Sequence, residues 1–310
     1  ILDMNVSVVI PNYNGEELIL KNLPKLITEL DKYTKGEIEV IVVDDGSEDN
    51  SVGVIKKFLK VKLLINSKNV GFSQTVDRGV GEARGELILL LNNDVLPQKG
   101  FLEPLLTHFN DPKVFAVGCM DKSVEKNGEI VLRGRGTGLW KRGFLVHSRG
   151  EVDSNDTLWV SGGSGIFRKS IWEELGGLNT LYNPFYWEDI DLSYRAQKSG
   201  YKVIFENKSV VLHEHEKGII KKKFSPFKVK SIVYRNQFIF VWTNLTDFNL
   251  VLKHFLWLPY YFIKTILSLD FAFYVGFLSA IFRFTKILKT RYNNKRLFIL
   301  SDLEVTKKYI

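Results

Sequence analysis

From Val6 to Leu91, strand and helix signals alternate, and that order leaves few folds open to the chain. Val6-Ser7-Val8-Val9-Ile10 is a short apolar run closed by Pro11. Between Glu16 and Leu30 the apolar residues Leu18, Leu23, Leu26, Ile27 and Leu30 fall at helical spacing, with Pro24 a candidate kink. A second strand pattern, Ile38 to Val43, ends in Asp44-Asp45-Gly46-Ser47. A helix over Asn50 to Leu59, a strand over Val61 to Ile65 and a helix over Gly71 to Arg84 follow. A fourth strand, Glu86 to Leu91, ends in Asn92-Asn93-Asp94. Alternation of this kind predicts an α/β fold: a mainly parallel sheet with helices on both faces.

Ligands bind such sheets at the carboxyl ends of the strands. The polar clusters here stand at those ends: Asn12, Asp44 and Asp45, Asn66, and Asn92 to Asp94. The turn after the first strand, Pro11-Asn12-Tyr13-Asn14-Gly15, lacks GxGxxG, and GxxxxGK[ST] is absent. A phosphate-bearing ligand then needs another source of positive charge, and a divalent cation on oxygen ligands supplies it. Asn92-Asn93-Asp94 offers a carboxylate and amide oxygens for that purpose; a plain polar turn gives the same text.

Further on, Gly134, Gly136, Gly138 and Gly143 mark a loop and hairpin region. Ser161-Gly162-Gly163-Ser164-Gly165 reads as a flexible turn where backbone can approach a ligand. Ser170 with Glu173 predicts a capping box for a short helix that Gly176-Gly177 stops. Glu188 and Asp189 open another helix; either can act as a general base if desolvated, or both can simply complement the helix dipole. Val203 to Phe205 and Val210 to Leu212 read as strands, leading to His213 and His215 on one strand face.

Taken in order, "VSVVIPNYNG", "VIVVDDGSEDNS", "NVGFSQTVDRGV…GELILLLNND", "SGGSGIFRKSIWEELGGLN", "WEDIDLSYRAQKSGYKV" and "VLHEH" span residues 5–215. This ordered set resembles the family-2 glycosyltransferases, whose catalytic domain has the Rossmann-like GT-A fold, and most of all the bacterial and archaeal branch that includes rhamnosyltransferases. The resemblance implies a nucleoside pocket at Pro11, Asn12 and Tyr13. Asp45 would accept from the base, with Asp44 supporting the turn. Asn92-Asn93-Asp94 takes the DXD position, where Asp94 would bind Mg²⁺ or Mn²⁺. Asn92 replaces the first acid, which gives His213 more weight as a second metal ligand. Asp189 matches the catalytic base, with Glu188 beside it, and Gly162-Gly163 matches a loop near the sugar. The implied chemistry is one inverting displacement from a nucleotide-diphosphate sugar, UDP- or dTDP-linked, onto a glycan or lipid-linked acceptor hydroxyl. A non-catalytic nucleotide-sugar or glycan-binding module on the same fold is the alternative.

The rest of the chain differs in character. Lys217 to Arg296 holds 15 Lys/Arg against Asp247 and Asp270, a balance of +13 in a chain of net +8, so about −5 falls elsewhere. Leu250 to Phe282 is strongly apolar, yet its longest stretch free of charged residues, Phe271 to Phe282, has twelve residues where a spanning helix needs about 20. Three arrangements fit: helices packed on the catalytic body, helices lying in a membrane plane, or a spanning hairpin. Snorkelling Lys253 and Lys264 and the basic cluster after Arg283 favour an anionic membrane surface, while Lys264 and Asp270 argue against a span. Aromatics mixed with Leu, Ile and Val suit lipid better than stacked bases, so no nucleic-acid partner is expected. Tyr234-Arg235-Asn236 resembles a triplet found downstream in the same branch. The expected organisation is residues 1–216 catalytic (1–110 for the nucleotide, 111–216 for the acceptor) and 217–310 a helical, membrane-associating extension. One cysteine, Cys119, excludes a disulfide framework. With no leader pattern in the opening residues, the expected location is cytoplasmic, peripheral at the inner face of the cell membrane.

Overall fold

The computed structural model describes residues 4–124, 128–214 and 224–309. His215, Lys217 and Lys221 to Lys223 lie outside the described residues. The expected alternation is present: β1 (Val6–Asn12), α1 (Glu16–Leu30), β2 (Ile38–Asp44), α2 (Ser51–Ile55), β3 (Val61–Ile65), α3 (Phe72–Gly81) and β4 (Leu87–Leu91). β3, β2, β1 and β4 lie side by side and parallel. Side chains alternate across a strand, so the two central strands feed two cores. Val6, Val8, Ile10, Leu87, Leu89 and Leu91 meet α1 on one face. Val9, Ile88 and Leu90 meet α3 on the other. α1 continues past Pro24, which lies inside it.

The second half of the sheet mixes directions. It holds β5 (Val95–Pro97), α4 (Leu102–Thr107), β6 (Val114–Val124) and β7 (Ile130–Arg133), and β8 (Gly136–Lys141) with β9 (Phe144–Arg149) forms a separate hairpin. β10 (Ser164–Arg168), α5 (Lys169–Glu174), α6 (Glu188–Lys198) and β11 (Lys202–Glu214) complete it. β10 inserts antiparallel between β4 and β6, and β5 and β7 also run against their neighbours. The sheet is still mainly parallel, since the other six strands share one direction.

Four local expectations are corrected. α2 ends at Ile55, because Leu59, which extended the apolar pattern, is 99% exposed and packs on nothing. The Ser170–Glu173 capping box does not form: α5 starts at Lys169, so Ser170 falls inside its first turn. Ser164 and Gly165 belong to β10 rather than to a flexible turn. The two strands near Phe205 and Val211 are one, β11, with a register shift between Glu206 and Val210.

The C-terminal segment forms α7 (Pro226–Asn244), α8 (Phe248–Leu267), α9 (Phe271–Ile281), α10 (Phe284–Lys295) and α11 (Asp302–Thr306). A capping box of Ser301 and Glu304 opens α11. These helices share a core with the preceding residues: Phe144, Leu158, Trp187 and Tyr194 pack with Phe238, Phe240, Phe273 and Ile287. Among the described residues, those of the C-terminal segment therefore share their core with the residues before it. α6 stands at the junction, giving Leu192 and Ala196 to the core under the sheet and Ile190 and Tyr194 to the C-terminal one.

Candidate active site

The ends of β1, β2 and β4 are tied together by amides. Asn12, at the end of β1, donates from Nδ2 to Asp44 Oδ2 at 2.9 Å. Ser47 closes the same carboxylate with its backbone N–H and its hydroxyl, at 2.9 and 2.6 Å. Asn12 Oδ1 accepts from Asn93 Nδ2 at 2.8 Å, which carries the link to the turn after β4. Asp45 is buried, and its carboxylate accepts from Asn66 Nδ2 and from the backbone N–H groups of Val70 and Gly71, at 2.8, 2.9 and 3.0 Å. A carboxylate has about four acceptor positions, so Asp45 shapes the Val70-Gly71 loop and keeps roughly one position for a ligand. Pro11 pairs with Val43, and Tyr13 follows half-buried.

Asp94 and His213 meet because β5 pairs with β11. His213 Nε2 lies 3.2 Å from Asp94 Oδ2, and Nδ1 lies 2.9 Å from Asp121 Oδ2. Burial alone lowers the imidazole pKa, but the hydrogen bonds to Asp121 and Asp94 together outweigh it and raise it to about 9. Asp94 Oδ1 is buried with no hydrogen-bond partner. Among the described residues, no group of three or more His, Cys, Asp or Glu is placed to hold a metal alone. The orphaned Asp94 Oδ1 suits a cation shared with a ligand's phosphates, and His213 can join it as a ligand only by giving up the proton that Asp94 and Asp121 hold on it.

The two-glycine turn joins this region to the acid pair. Gly163 accepts the backbone N–H of Asn92 at 3.0 Å, and a Cβ on Gly163 would lie 2.4 Å from the Asn92 amide nitrogen. The backbone N–H of Gly162 lies near enough to the Asp189 carboxylate to favour its charged form, and a Cβ on Gly162 would lie 3.9 Å from the Asp189 Cβ. One turn thus touches both the DXD-position residues and the acid pair. Glu188 and Asp189 are half-buried at the first turn of α6, and Glu188 Oε2 is shielded with no partner. Burial, with repulsion from Asp189, pushes Glu188 up to about 8; burial pushes Asp189 up to about 6. Backbone N–H groups, including that of Ile190, oppose the burial and favour the ionised form of Asp189. At neutral pH the pair presents one carboxylate able to take a proton and one carboxylic acid.

The structure therefore brings all the proposed site residues into one continuous region. It adds Asp121, which the sequence reading missed although it stands at the polar end of the apolar run from Val114 to Met120. Asn22, which donates to the carbonyl of Asn93 at 2.8 Å, was hidden inside a helix pattern.

Residues 7–176, more than half of the chain, match the family model described as Glycosyl transferase family 2. The chain belongs to glycosyl transferase family 2. It is 24% identical over 217 residues to the O-antigen chain rhamnosyltransferase of Salmonella typhimurium, covering 68% of this chain and 67% of that protein. It is 29% identical over 218 residues to the pre-mycofactocin glycosyltransferase of Mycobacterium tuberculosis, of which it spans only 43%. Over 224 residues it is 24% identical to that organism's N-acetylglucosaminyl-diphospho-decaprenol L-rhamnosyltransferase, covering 62% of this chain and 71% of the relative. Two solved structures share the fold at 16% identity. GalNAc-T7 with UDP, GalNAc and Mn²⁺ has a TM-score of 0.60 over 77% of this chain and 48% of its own. The Pyrobaculum calidifontis mannosyltransferase with GDP-Man and Mn²⁺ has 0.56 over 98% and 84%. The fold is thus GT-A-like, and the family makes this chain a glycosyltransferase of the nucleotide-sugar class. Within that class, its rhamnosyltransferase-like relatives agree with the branch that the sequence resembles.

Proposed function

We propose that this glycosyltransferase inverts the anomeric centre of a UDP- or dTDP-linked sugar, depends on a divalent cation, and uses a glycan or lipid-linked glycan as acceptor. The observation that carries the reading is the Gly162-Gly163 turn, which contacts Asn92 on one side and Asp189 on the other. A nucleotide held by Pro11, Asn12, Tyr13 and Asp45 extends its diphosphate toward Asp94. The Asp189 carboxylate takes the proton of the acceptor hydroxyl. That oxygen bonds to the anomeric carbon as the bond to the diphosphate oxygen breaks, and the diphosphate leaves with the electron pair. Asp94 and His213 would hold the cation, Mg²⁺ or Mn²⁺, which when bound offsets the charge growing on the leaving group. With both pKa values raised by burial, the Glu188–Asp189 pair keeps a proton that limits like-charge repulsion there. Mn²⁺ in the two solved relatives and a diphospho-decaprenol name among the sequence relatives support the cation and the lipid-linked acceptor.

The same reading places the protein at the cytoplasmic face of the cell membrane. α8 and α9 carry a broad exposed apolar surface, with Phe248, Leu256, Leu267 and Phe282 between 68% and 85% exposed. A shallow groove of about 440 Å³ on α8, lined by Tyr260, Ile263, Lys264, Leu267 and Ser268, interrupts that surface with one cation. No single described helix is long and apolar enough to cross a membrane; by length and composition, α9 and α10 could do so only as a pair bent by 68°. A layer lying in an anionic interface suits this pattern of exposed Phe and Leu edged by Lys and Arg.

Calorimetry with UDP, dTDP and GDP, each with Mn²⁺, Mg²⁺ or EDTA, tests the donor half. Binding of one nucleotide that needs the cation and is lost in Asp94→Ala supports the proposal. Cation-independent binding, unchanged in the variant, overturns the metal assignment. Transfer or donor hydrolysis abolished by Asp189→Asn excludes the non-catalytic alternative.

A further inference from the structure

The Tyr234-Arg235-Asn236 triplet has no place in the donor pocket or the acid pair, yet it sits against the turn that leads into that pair. Asn236, on α7, is fully buried. Its Nδ2 donates to the carbonyls of Tyr182, Phe185 and Tyr186 at 3.1, 2.9 and 2.8 Å. Its Oδ1 accepts from Arg235 Nε and Nη2 at 2.9 and 2.7 Å. Arg235 Nη2 continues to the carbonyls of Tyr182 and Asn183, at 3.1 and 2.6 Å. Two side chains from the C-terminal segment thus gather four carbonyls within five residues.

Those carbonyls belong to a turn that needs holding. Tyr186 and Trp187 have φ of 70° and 78°, the left-handed region that aromatic residues rarely adopt. Such a residue is strained and persists only where its surroundings over-determine it. Glu188 and Asp189 come next, so the turn decides where α6 begins and where its two acids point. Arg235 makes the same point from the other side. Buried cations are normally paired with carboxylates, but the described partners of Arg235 are carbonyls and an amide. Burial, with Arg283 nearby, pulls its pKa down to about 10. A costly buried charge spent on one turn marks that turn as a place where geometry matters.

We propose that Asn236, steadied by Arg235, is a positioning residue that fixes the 182–187 turn so that Asp189 faces the Gly162-Gly163 turn. Its catalytic consequence rests on the glycosyltransferase reading; the positioning itself does not. α7 is in turn seated by α9: a Cβ on Gly276 would lie 2.7 Å from the Tyr234 Cβ and 2.9 Å from the Arg235 nitrogen. The C-terminal segment is on this account part of the catalytic apparatus.

The test uses the full chain with Asn236→Ala and, as a milder change, Arg235→Lys. Hydrogen exchange of residues 182–190 is measured by mass spectrometry, beside UDP affinity with Mn²⁺ and the pH profile of nucleotide-sugar turnover. In Asn236→Ala, exchange in 182–190 rises at least about tenfold while β1 to β4 are unchanged, reflecting local rather than global opening. UDP affinity stays within about twofold, turnover falls roughly 100-fold through misplacement of the base, and the acid limb moves to lower pH as the acids gain water. Arg235→Lys gives a smaller change in the same sense. Unchanged exchange at 182–190, or a parallel loss of UDP affinity, turnover and melting temperature, overturns the proposal. If the parent chain turns over no nucleotide sugar, the proposed function fails, and the exchange data still decide the positioning.

Discussion

Asp302→Asn is a sharp test of how α6 is anchored. Lys198, on α6, and Asp302, at the start of α11, are fully buried and 2.8 Å apart. Asp302 also accepts from Tyr194 OH, the Thr246 N–H and hydroxyl, and the Asp247 N–H. Among the described residues, the Lys198 ammonium otherwise meets Asn244 O, the Thr246 hydroxyl and the face of the Phe298 ring, 4.5 Å away. Burial already holds its ammonium below the ordinary range despite Asp302; Asp247 helps it and Arg291 opposes it. Removing one member of a buried pair costs about 3–5 kcal/mol. An independent ceiling agrees: Lys198 can shed its proton instead, which at pH 7 costs about 4.6 kcal/mol from an unfolded pKa of about 10.4. The sign follows. The variant's unfolded state binds the extra proton, so its stability rises with pH. At pH 9 the same ceiling is about 1.9 kcal/mol, so the deficit against the parent narrows by up to about 2.7 kcal/mol. Urea unfolding of both proteins between pH 7 and 9.5 reads this directly. A deficit below about 1 kcal/mol at pH 7, or one that does not shrink with pH, would refute the reasoning. Lys198→Met is expected to cost less, because Asp302 keeps four other donors.

Three further outcomes follow from the site and the apolar surface. Gly163→Ala drives a methyl to 2.4 Å from the Asn92 amide; nucleotide affinity is expected to weaken about tenfold or more, about 1.4 kcal/mol, and wild-type affinity in a titration would count against that packing. Turnover should rise with pH through about 6, because Asp189 works as a base only when ionised and burial raises its pKa to that value; an acid limb near the ordinary 3.8 would show that the site does not desolvate it. Leu256→Glu with Phe282→Glu, at positions 68% and 85% exposed, should leave the melting temperature unchanged and release the protein from phosphatidylglycerol vesicles in sedimentation; equal sedimentation would remove the membrane reading.

Much of the nucleotide half was legible because local rules and global fold agree there. β4 is five consecutive apolar residues, all buried at the middle of the sheet, and its polar end can be nothing but a strand end. The rest depended on contacts that sequence spacing does not encode. β10 enters antiparallel between two parallel strands, which no alternation predicts. Its Ser-Gly start looks like a loop, yet it is buried by the Val160 side chain against Gly165. Asp121 reads as surface until β11 places His213 beside it. The acid pair was visible as residues, but its raised pKa values come from the fold around α6.

The basic charge of the C-terminal segment invites reading it as an appendage, and its buried polar groups contradict that. Asp191, two residues beyond the base, accepts from Tyr182 OH at 2.8 Å, Asn244 Nδ2 at 2.6 Å and Arg195 Nε at 2.7 Å. Asn244 ends α7, and its Oδ1 accepts from Asn294 of α10 at 3.1 Å. A buried polar network is stable only when every member is satisfied. Without α7 and α10, Asp191 and Lys198 lose the partners that orient them and Ile190 and Tyr194 lose the apolar side chains that bury them, so α6 loses what fixes its place. Truncation before Pro226 should thus not yield a smaller working enzyme: far-ultraviolet dichroism would report loss of helix beyond the deleted residues, and donor turnover would vanish with it. A truncated chain that folds cooperatively and still turns over donor would mean that residues 4–214 hold Asp189 by themselves.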